Sequence, residues 1–310
     1  MTKAGGLGFI GAGLDLSALE KHLMTAGEAL GRHGDVLPVG IGLLLFVSKV
    51  DDFLPILQKY QPAVVWLFAA KKLEDYAEWT SKIRGVSKSQ VWIQVGSVAA
   101  AVTVAQQAKP DAICAQGADA GGHGFEKGAG IISLLPEVAD TLAEHGHGDI
   151  PLVAAGGIAD GRGAAAAFAL GAQGVVLGTR FLAAPETEMH PGYRAAILAA
   201  SDGGQSTVRA KLFDNLRGAN IWPEGYDGRS VVMESYVNHM GGVSIEEIRR
   251  LHAKALESGE AGFGSDGKGR AAMWAGTGVG LVKKEQRAAE IVEEIRRGVQ
   301  DAFEEARARL

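Results

Sequence analysis

Through the first 181 residues, short apolar runs bounded by glycine, proline or polar residues alternate with segments whose apolar positions recur at helical spacing. The runs predict strands over 7–11, 36–46, 63–68, 91–95, 112–116, 151–155 and 174–177. Between them the spacing predicts helices over 16–30, 72–84, 98–109, 134–144 and 161–170. A further helix is expected to be capped by Asp51 or Asp52, with Pro55 in its first turn. The alanines of 164–167 leave the 161–170 helix too little bulk to stand off from its neighbour, which predicts close packing.

Strands that alternate with helices signal a parallel sheet. The runs VGIGLLLF and AVVWLF are apolar throughout, which suits a sheet buried on both faces. The expected fold class is α/β, a TIM-type (β/α)8 barrel. Closure prefers eight strands, whereas the pattern supplies seven and opens almost directly on one, so the barrel is expected to lack its first strand. Beyond Phe181 the pattern changes to helices, best at 193–200, 245–257 and 284–306, separated by glycine-containing loops. The expected organisation is a barrel over 1–185, a mainly helical cap or substrate domain over 186–282, and a C-terminal helix over 283–310 returning to the barrel. The stretch GANIWPEGYDGRS at 218–230 holds too much Gly and Pro for regular structure and reads as a packed surface loop, although Trp222 and Tyr226 make it more than a linker.

Composition narrows the function. The 310 residues are 47% hydrophobic and 22% charged, ordinary for a globular chain, but 44 glycines are about twice the usual share and imply many tight turns. A net charge of −5 without any Lys/Arg cluster offers no attraction to nucleic acid or an anionic membrane, so a small molecule is the expected partner. No apolar run reaches the roughly 18 residues needed to span a bilayer and the start lacks a signal-peptide pattern, which leads to an expected cytoplasmic location. The final Ala308, Arg309 and Leu310 loosely resemble a peroxisomal address. Cys114, the single cysteine, sits in an apolar run and reads as a buried, inert thiol.

Two strand ends carry candidate chemistry. Ala155, Gly156, Gly157 and Ile158 precede Asp160 and a helix, and Gly178, Thr179 and Arg180 follow the next strand. Loops after the last strands of a β/α barrel bind phosphate through exposed backbone N–H groups, and Thr179 adds a hydroxyl donor. The third feature is GADAGGHG at 117–124, whose glycines permit a tight backbone that exposes His123 at the barrel mouth. An imidazole there suits a base or a donor to a developing anion, while Asp119 reads as orienting the loop or ring, or as a backbone cap. His145, His147 and His190 lack metal-ligand spacing with Asp119 and His123, so no metal is expected.

The segments AGGLGFIGAG at 4–13, AQGADAGGHG at 115–124, PLVAAGGIADGRG at 151–163, GVVLGTRF at 174–181 and MWAGTGVGLV at 273–282 resemble, in this order, the nitronate monooxygenase family, formerly called 2-nitropropane dioxygenases. The resemblance implies an FMN-dependent barrel with a helical second domain. It implies oxidation of alkyl nitronates, and in some members of neutral nitroalkanes, by O2 to a carbonyl compound and nitrite. By position, the turn of Ala155, Gly156 and Gly157 with Gly178 and Thr179 would hold the FMN phosphate, Gln94 would reach the flavin, and Gly121 and Gly122 would border its pocket. His123 stands where the family has its catalytic histidine. Nothing in the chain matches the Ala-Pro-Met-type segment that ends the family's first strand. Two other readings stay open: an FMN-dependent NAD(P)H:quinone or enoyl-thioester reductase on the same barrel, and a non-catalytic remnant or phosphate-ligand binder. The expected partners are a nitronate or nitroalkane and O2, with a homodimer as the assembly to test.

Overall fold

The computed structural model describes residues 1–13, 15–31, 34–257, 261–264 and 268–310. In chain order the strands are β1 (Phe9–Gly11), β2 (Leu37–Leu44), β3 (Pro62–Phe68), β4 (Gln90–Val95), β5 (Ala112–Gln116), β6 (Gly122–Phe125), β7 (Leu152–Ala155), β8 (Gly174–Val176), β9 (Thr207–Ala210) and β10 (Tyr226–Val231). The helices that alternate with the first eight strands are α1 (Leu16–Leu30), α2 (Val50–Tyr60), α3 (Asp75–Val86), α4 (Val98–Gln107), α5 (Ile131–Glu144) and α6 (Gly161–Ala169). Beyond them come α7 (Pro191–Ala199), α8 (Gly203–Ser206), α9 (Leu212–Asn215), α10 (Glu234–Met240), α11 (Ile245–Leu256) and α12 (Ala288–Arg307).

A seven-stranded sheet runs in the order β1-β2-β3-β4-β5-β7-β8, each of the seven apolar runs having become one of its strands. The pairs from β1 to β5 are parallel. Between β5 and β7, the bonds from Ile113 N to Pro151 O and from Gly117 N to Ala155 O advance together along both strands, which is parallel pairing as well. The outer strands β1 and β8 do not pair with each other, so among the described residues the sheet is open rather than a closed eight-stranded barrel.

The chain divides into two compact units. The first comprises Met1–Ala115, Ile132–Ala154 and Phe168–Gly174. Along β2, Leu37, Val39, Ile41 and Leu43 are buried, and Val65 with Leu67 on β3 and Val91 with Ile93 on β4 continue the same aliphatic layer. On the other face Phe9, Trp66 and Trp92 cluster, with ring centroids 5.0 Å apart for Phe9 and Trp66 and 5.7 Å for Phe9 and Trp92. Gly40 makes this cluster possible, because a Cβ there would overlap the Phe9 ring. Cys114 is fully buried, and burial pushes its thiol well above the ordinary range, in keeping with an inert role. The helix after β2 departs from expectation: Lys49 stands at its N-cap without a side-chain cap bond, Asp51 and Asp52 lie in its first turn, and Pro55 sits inside it. The acids still favour that end through the helix dipole.

The second unit comprises Gln116–Ile131, Ala155–Ala167 and Val175–Leu310. Beside the helices over 186–282 it holds a three-stranded antiparallel sheet in the order β6-β10-β9, which the sequence pattern did not predict. The sequence hides these strands for a physical reason. β6 is GHGF, with too much glycine to score as a strand, and β10 is YDGRSV, whose polar Asp227, Arg229 and Ser230 are buried or half-buried by pairing with other polar groups. Residues 226–230 of the expected loop therefore form most of β10.

In the same unit Ala164, Ala165 and Ala167 are buried on α6, and its first residue, Gly161, faces Gly298 of α12 so closely that a Cβ would overlap the α12 backbone. The amphipathic α12 buries Ile291, Val292 and Ile295. Among the described residues no helix is long and apolar enough to cross a membrane. Gly161→Ala is expected to force α6 and α12 apart and destabilise the protein by about 1–3 kcal/mol. Urea unfolding checks this, with an unchanged midpoint as the contrary result.

Candidate active site

The site assembles on the backbone of 276–280, within the motif MWAGTGVGLV. Gly276 N donates to Thr179 Oγ1 at 2.9 Å, and Thr277 N donates to Asp119 O at 3.0 Å. The Thr277 hydroxyl donates to Asp119 Oδ1 at 2.9 Å, so Asp119 orients its loop rather than the imidazole. A Cβ on Gly276 would lie 2.5 Å from Asp119 O, and one on Gly278 2.9 Å from Gly157 O. At Gly121 a Cβ would overlap the backbone of Ala275 and Gly276. Glycine is required at these crossings because peptide planes meet with no room for a side chain. One short segment thus ties together the histidine loop, the turn after β7 and the turn after β8.

The two turns present unspent donors. Gly156 and Gly157 hold φ of 104° and 76°, conformations that favour glycine. Gly156 lies against the histidine loop, its Cβ position being 2.8 Å from Gly117 O and 3.0 Å from Ala120 N. Ala155 O accepts from Gly117 N at 2.8 Å and pins the base of that loop. Among the described residues no carbonyl accepts from the N–H groups of Gly156, Gly157 or Gly178. Gly178 opens a 3-10 turn over Thr179–Ala183, and a Cβ there would meet nothing within 4 Å.

His123 sits on β6 opposite Gly228 of β10. It is not freely exposed on a loop, as expected from the sequence: pairing with β10 turns the glycine-rich segment into a strand, and the side chain retains 19% exposure. Its Nε2 lies 2.6 Å from Oδ1 of Asp214, a carboxylate only 6% exposed on α9. The Trp222 indole stacks on one ring face at 3.7 Å between centroids and 9° between planes, and Trp274 leans on the ring at 4.6 Å and 49°. Gly228 allows this, since a Cβ there would overlap Trp274. Gln116 Nε2 donates to His123 O at 3.1 Å.

Two arginines clamp the loop ahead of His123. Arg209 on β9 donates to Ala120 O at 3.0 Å and pairs with Asp227 at 2.7 Å. Arg229 on β10 donates from Nε and Nη2 to Ala118 O at 3.3 and 3.1 Å. Burial pushes the Asp227 carboxyl up against the pull of Arg209, and burial with the neighbouring Arg209 charge lowers Arg229.

The second unit therefore gathers His123, Gly121, Gly122, Ala155, Gly156, Gly157, Gly178 and Thr179. Gln94 belongs to the first unit, where it is buried on β4 opposite Cys114. Sequence reasoning missed Asp214, Arg209, Arg229 and Trp274 as partners of the histidine loop. Asp214 lies 91 residues beyond His123 in an unremarkable LFDN, and only Trp222, an aromatic in a Gly/Pro-rich stretch, gave a signal.

A family model described as nitronate monooxygenase matches residues 54–298. The nitronate monooxygenase npaC of Metarhizium robertsii is 42% identical over 96% of this chain and 85% of its own. A nitronate monooxygenase of Neurospora crassa is 40% identical over 99% and 86%. Among solved structures, FabK from Thermotoga maritima superimposes with a TM-score of 0.76 at 27% identity, covering 99% of this chain and 89% of that one. A nitroalkane oxidase from Streptomyces ansochromogenes shares the fold, with a TM-score of 0.73 at 23% identity over 98% and 91%. The family model and these relatives together show that the chain belongs to the nitronate monooxygenase family and is an oxidoreductase.

Proposed function

We propose that this protein uses FMN to oxidise alkyl nitronates, and nitroalkanes that it deprotonates, with O2 to a carbonyl compound and nitrite. The observation that carries the reading is the convergence on Gly276–Gly278 of a half-buried histidine and two glycine turns with unspent N–H donors. Relatives named nitronate monooxygenase at 40–42% identity support it.

The donor set fits a phosphate monoester. The N–H groups of Gly156, Gly157 and Gly178 would bind its oxygens, and the Thr179 hydroxyl, which accepts from Gly276, retains its own proton for donation. Gly121 and Gly122 would border the flavin, with Ala155 at the base of the phosphate turn. Gln94, buried near the C-terminal end of β4, is proposed to reach the flavin. Bound FMN would supply the electron-transfer chemistry between nitronate and O2.

The chain's own residues do the rest. His123 holds the nitro group and takes the carbon-bound proton of a neutral nitroalkane. Trp222 and Trp274 cover the imidazole and exclude water, which strengthens its electrostatic interactions. The same reading makes 1–185 a TIM-type barrel that lacks its first strand, 186–282 a mainly helical cap or substrate domain and 283–310 a helix returning to the barrel, in a cytoplasmic homodimer.

Two outcomes check this reading. Protein purified with its flavin should be yellow, and anaerobic addition of ethyl nitronate should bleach the flavin absorbance. Colourless protein that takes up no FMN would leave the phosphate-ligand reading, and rapid bleaching by NADH without nitronate turnover would establish a reductase. His123→Ala should retain flavin and lower turnover of neutral nitroethane by about 10²-fold or more, with a smaller loss for preformed ethyl nitronate, because only the neutral substrate needs a base. Equal losses on both substrates would remove the base role.

A further inference from the structure

We infer that Asp214 is a positioning residue that fixes His123 as the Nε2–H tautomer, so that Nδ1 is the atom that takes the substrate's proton. The inference rests on the proposed function for the identity of that substrate, but the tautomer itself does not.

A carboxylate is acceptor-only when ionised, so the 2.6 Å contact between Asp214 Oδ1 and His123 Nε2 places the ring proton on Nε2. The neutral imidazole then has its lone pair on Nδ1, which has no hydrogen-bond partner among the described residues. The Trp222 indole covers one ring face and Trp274 leans on the ring, which leaves the edge that carries Nδ1 for the substrate's approach.

Asp214 is held for this task. Its neighbours Leu212, Phe213 and Leu216 are buried in one apolar cluster with Met233 and Ile248, and Phe213 meets Trp274 edge-on at 5.8 Å. The second carboxylate oxygen, Oδ2, is buried without any hydrogen-bond partner. An acid retained for structure alone would be expected to satisfy both oxygens, since each buried unsatisfied group costs stability. An unspent carboxylate charge beside an imidazole has a use once the ring becomes a cation.

The step balances without any further reactant. The C–H bond of a neutral nitroalkane breaks, its electron pair enters the C=N bond of the nitronate, and the proton forms a new N–H bond on Nδ1. The imidazolium is then flanked by Asp214 on one edge and by the new nitronate anion on the other, which stabilises both products of the transfer.

Nitrogen-15 NMR of the full-length protein labelled at histidine tests the tautomer, with His123→Gln identifying the His123 signals. The expected result is a protonated Nε2 and a bare Nδ1 in the wild type, and loss of that preference in Asp214→Ala. In parallel, Asp214→Asn should lower kcat for neutral nitroethane about tenfold more than for ethyl nitronate, with little change in KM for nitroethane. Asp214→Glu should recover part of the loss. A protonated Nδ1 in the wild type, or a tautomer that is the same with and without Asp214, would overturn the inference. If the protein turned over no nitronate at all, the proposed function would fail while the NMR result still decided the role of Asp214.

Discussion

The site depends on peptide backbones that touch without side chains between them. Gly276 meets Asp119 and Gly121, and Gly278 meets Gly157, at separations a Cβ would close. Such contacts are rigid, because no rotamer can yield and only the chain itself can move. They put the histidine loop and the two glycine turns in fixed register. A flavoenzyme needs this, since a catalytic group displaced by about 1 Å loses much of its effect. The same geometry explains why the chain repeats glycine in AGGHG, AAGGI and AGTGVG, segments far apart in sequence that pack together.

Around that scaffold the second unit holds charged side chains that are buried or half-buried. Arg209, Arg229 and Asp227 are spent on the carbonyls of Ala118 and Ala120 and on one another, which holds the loop through polar contacts rather than apolar bulk. Removing one partner of such a network leaves a buried charge uncompensated, which costs roughly 3–5 kcal/mol. The His123–Asp214 pair lies in the same setting, with two indole rings packed against the imidazole. Burial and charge here serve position and proton transfer at some cost in stability.

The parallel sheet was legible because its strands are continuous apolar runs separated by amphipathic helices, a pattern that hydrophobicity alone reveals. That Gly156, Gly157, Gly178 and Thr179 fall in turns was legible because they follow strands directly, and His123 stood out for its glycine-rich segment after β5. The antiparallel sheet was not, because β6 is half glycine and β10 buries polar residues that satisfy one another rather than alternating with apolar ones. Asp214, Arg209 and Trp274 are ordinary residues in the sequence, and only chain folding over distances of about 90 to 150 residues makes them partners of the histidine loop. The loop of 218–230 lay between these cases: its Trp222 hinted at a role, but the hint could not name the ring it covers.

Flavin titration tests most directly whether Gly276–Gly278 holds a phosphate-binding turn beside His123. The apoprotein and Gly278→Ala would each be titrated with FMN and with riboflavin, which lacks the phosphate, while circular dichroism verifies that both are folded. The wild type should prefer FMN by about 10²-fold, from charge-assisted bonds to the phosphate, and Gly278→Ala should lose most of this preference with little change for riboflavin. A folded Gly278→Ala variant with the full wild-type preference for FMN, or a wild type that binds both flavins equally, would contradict it.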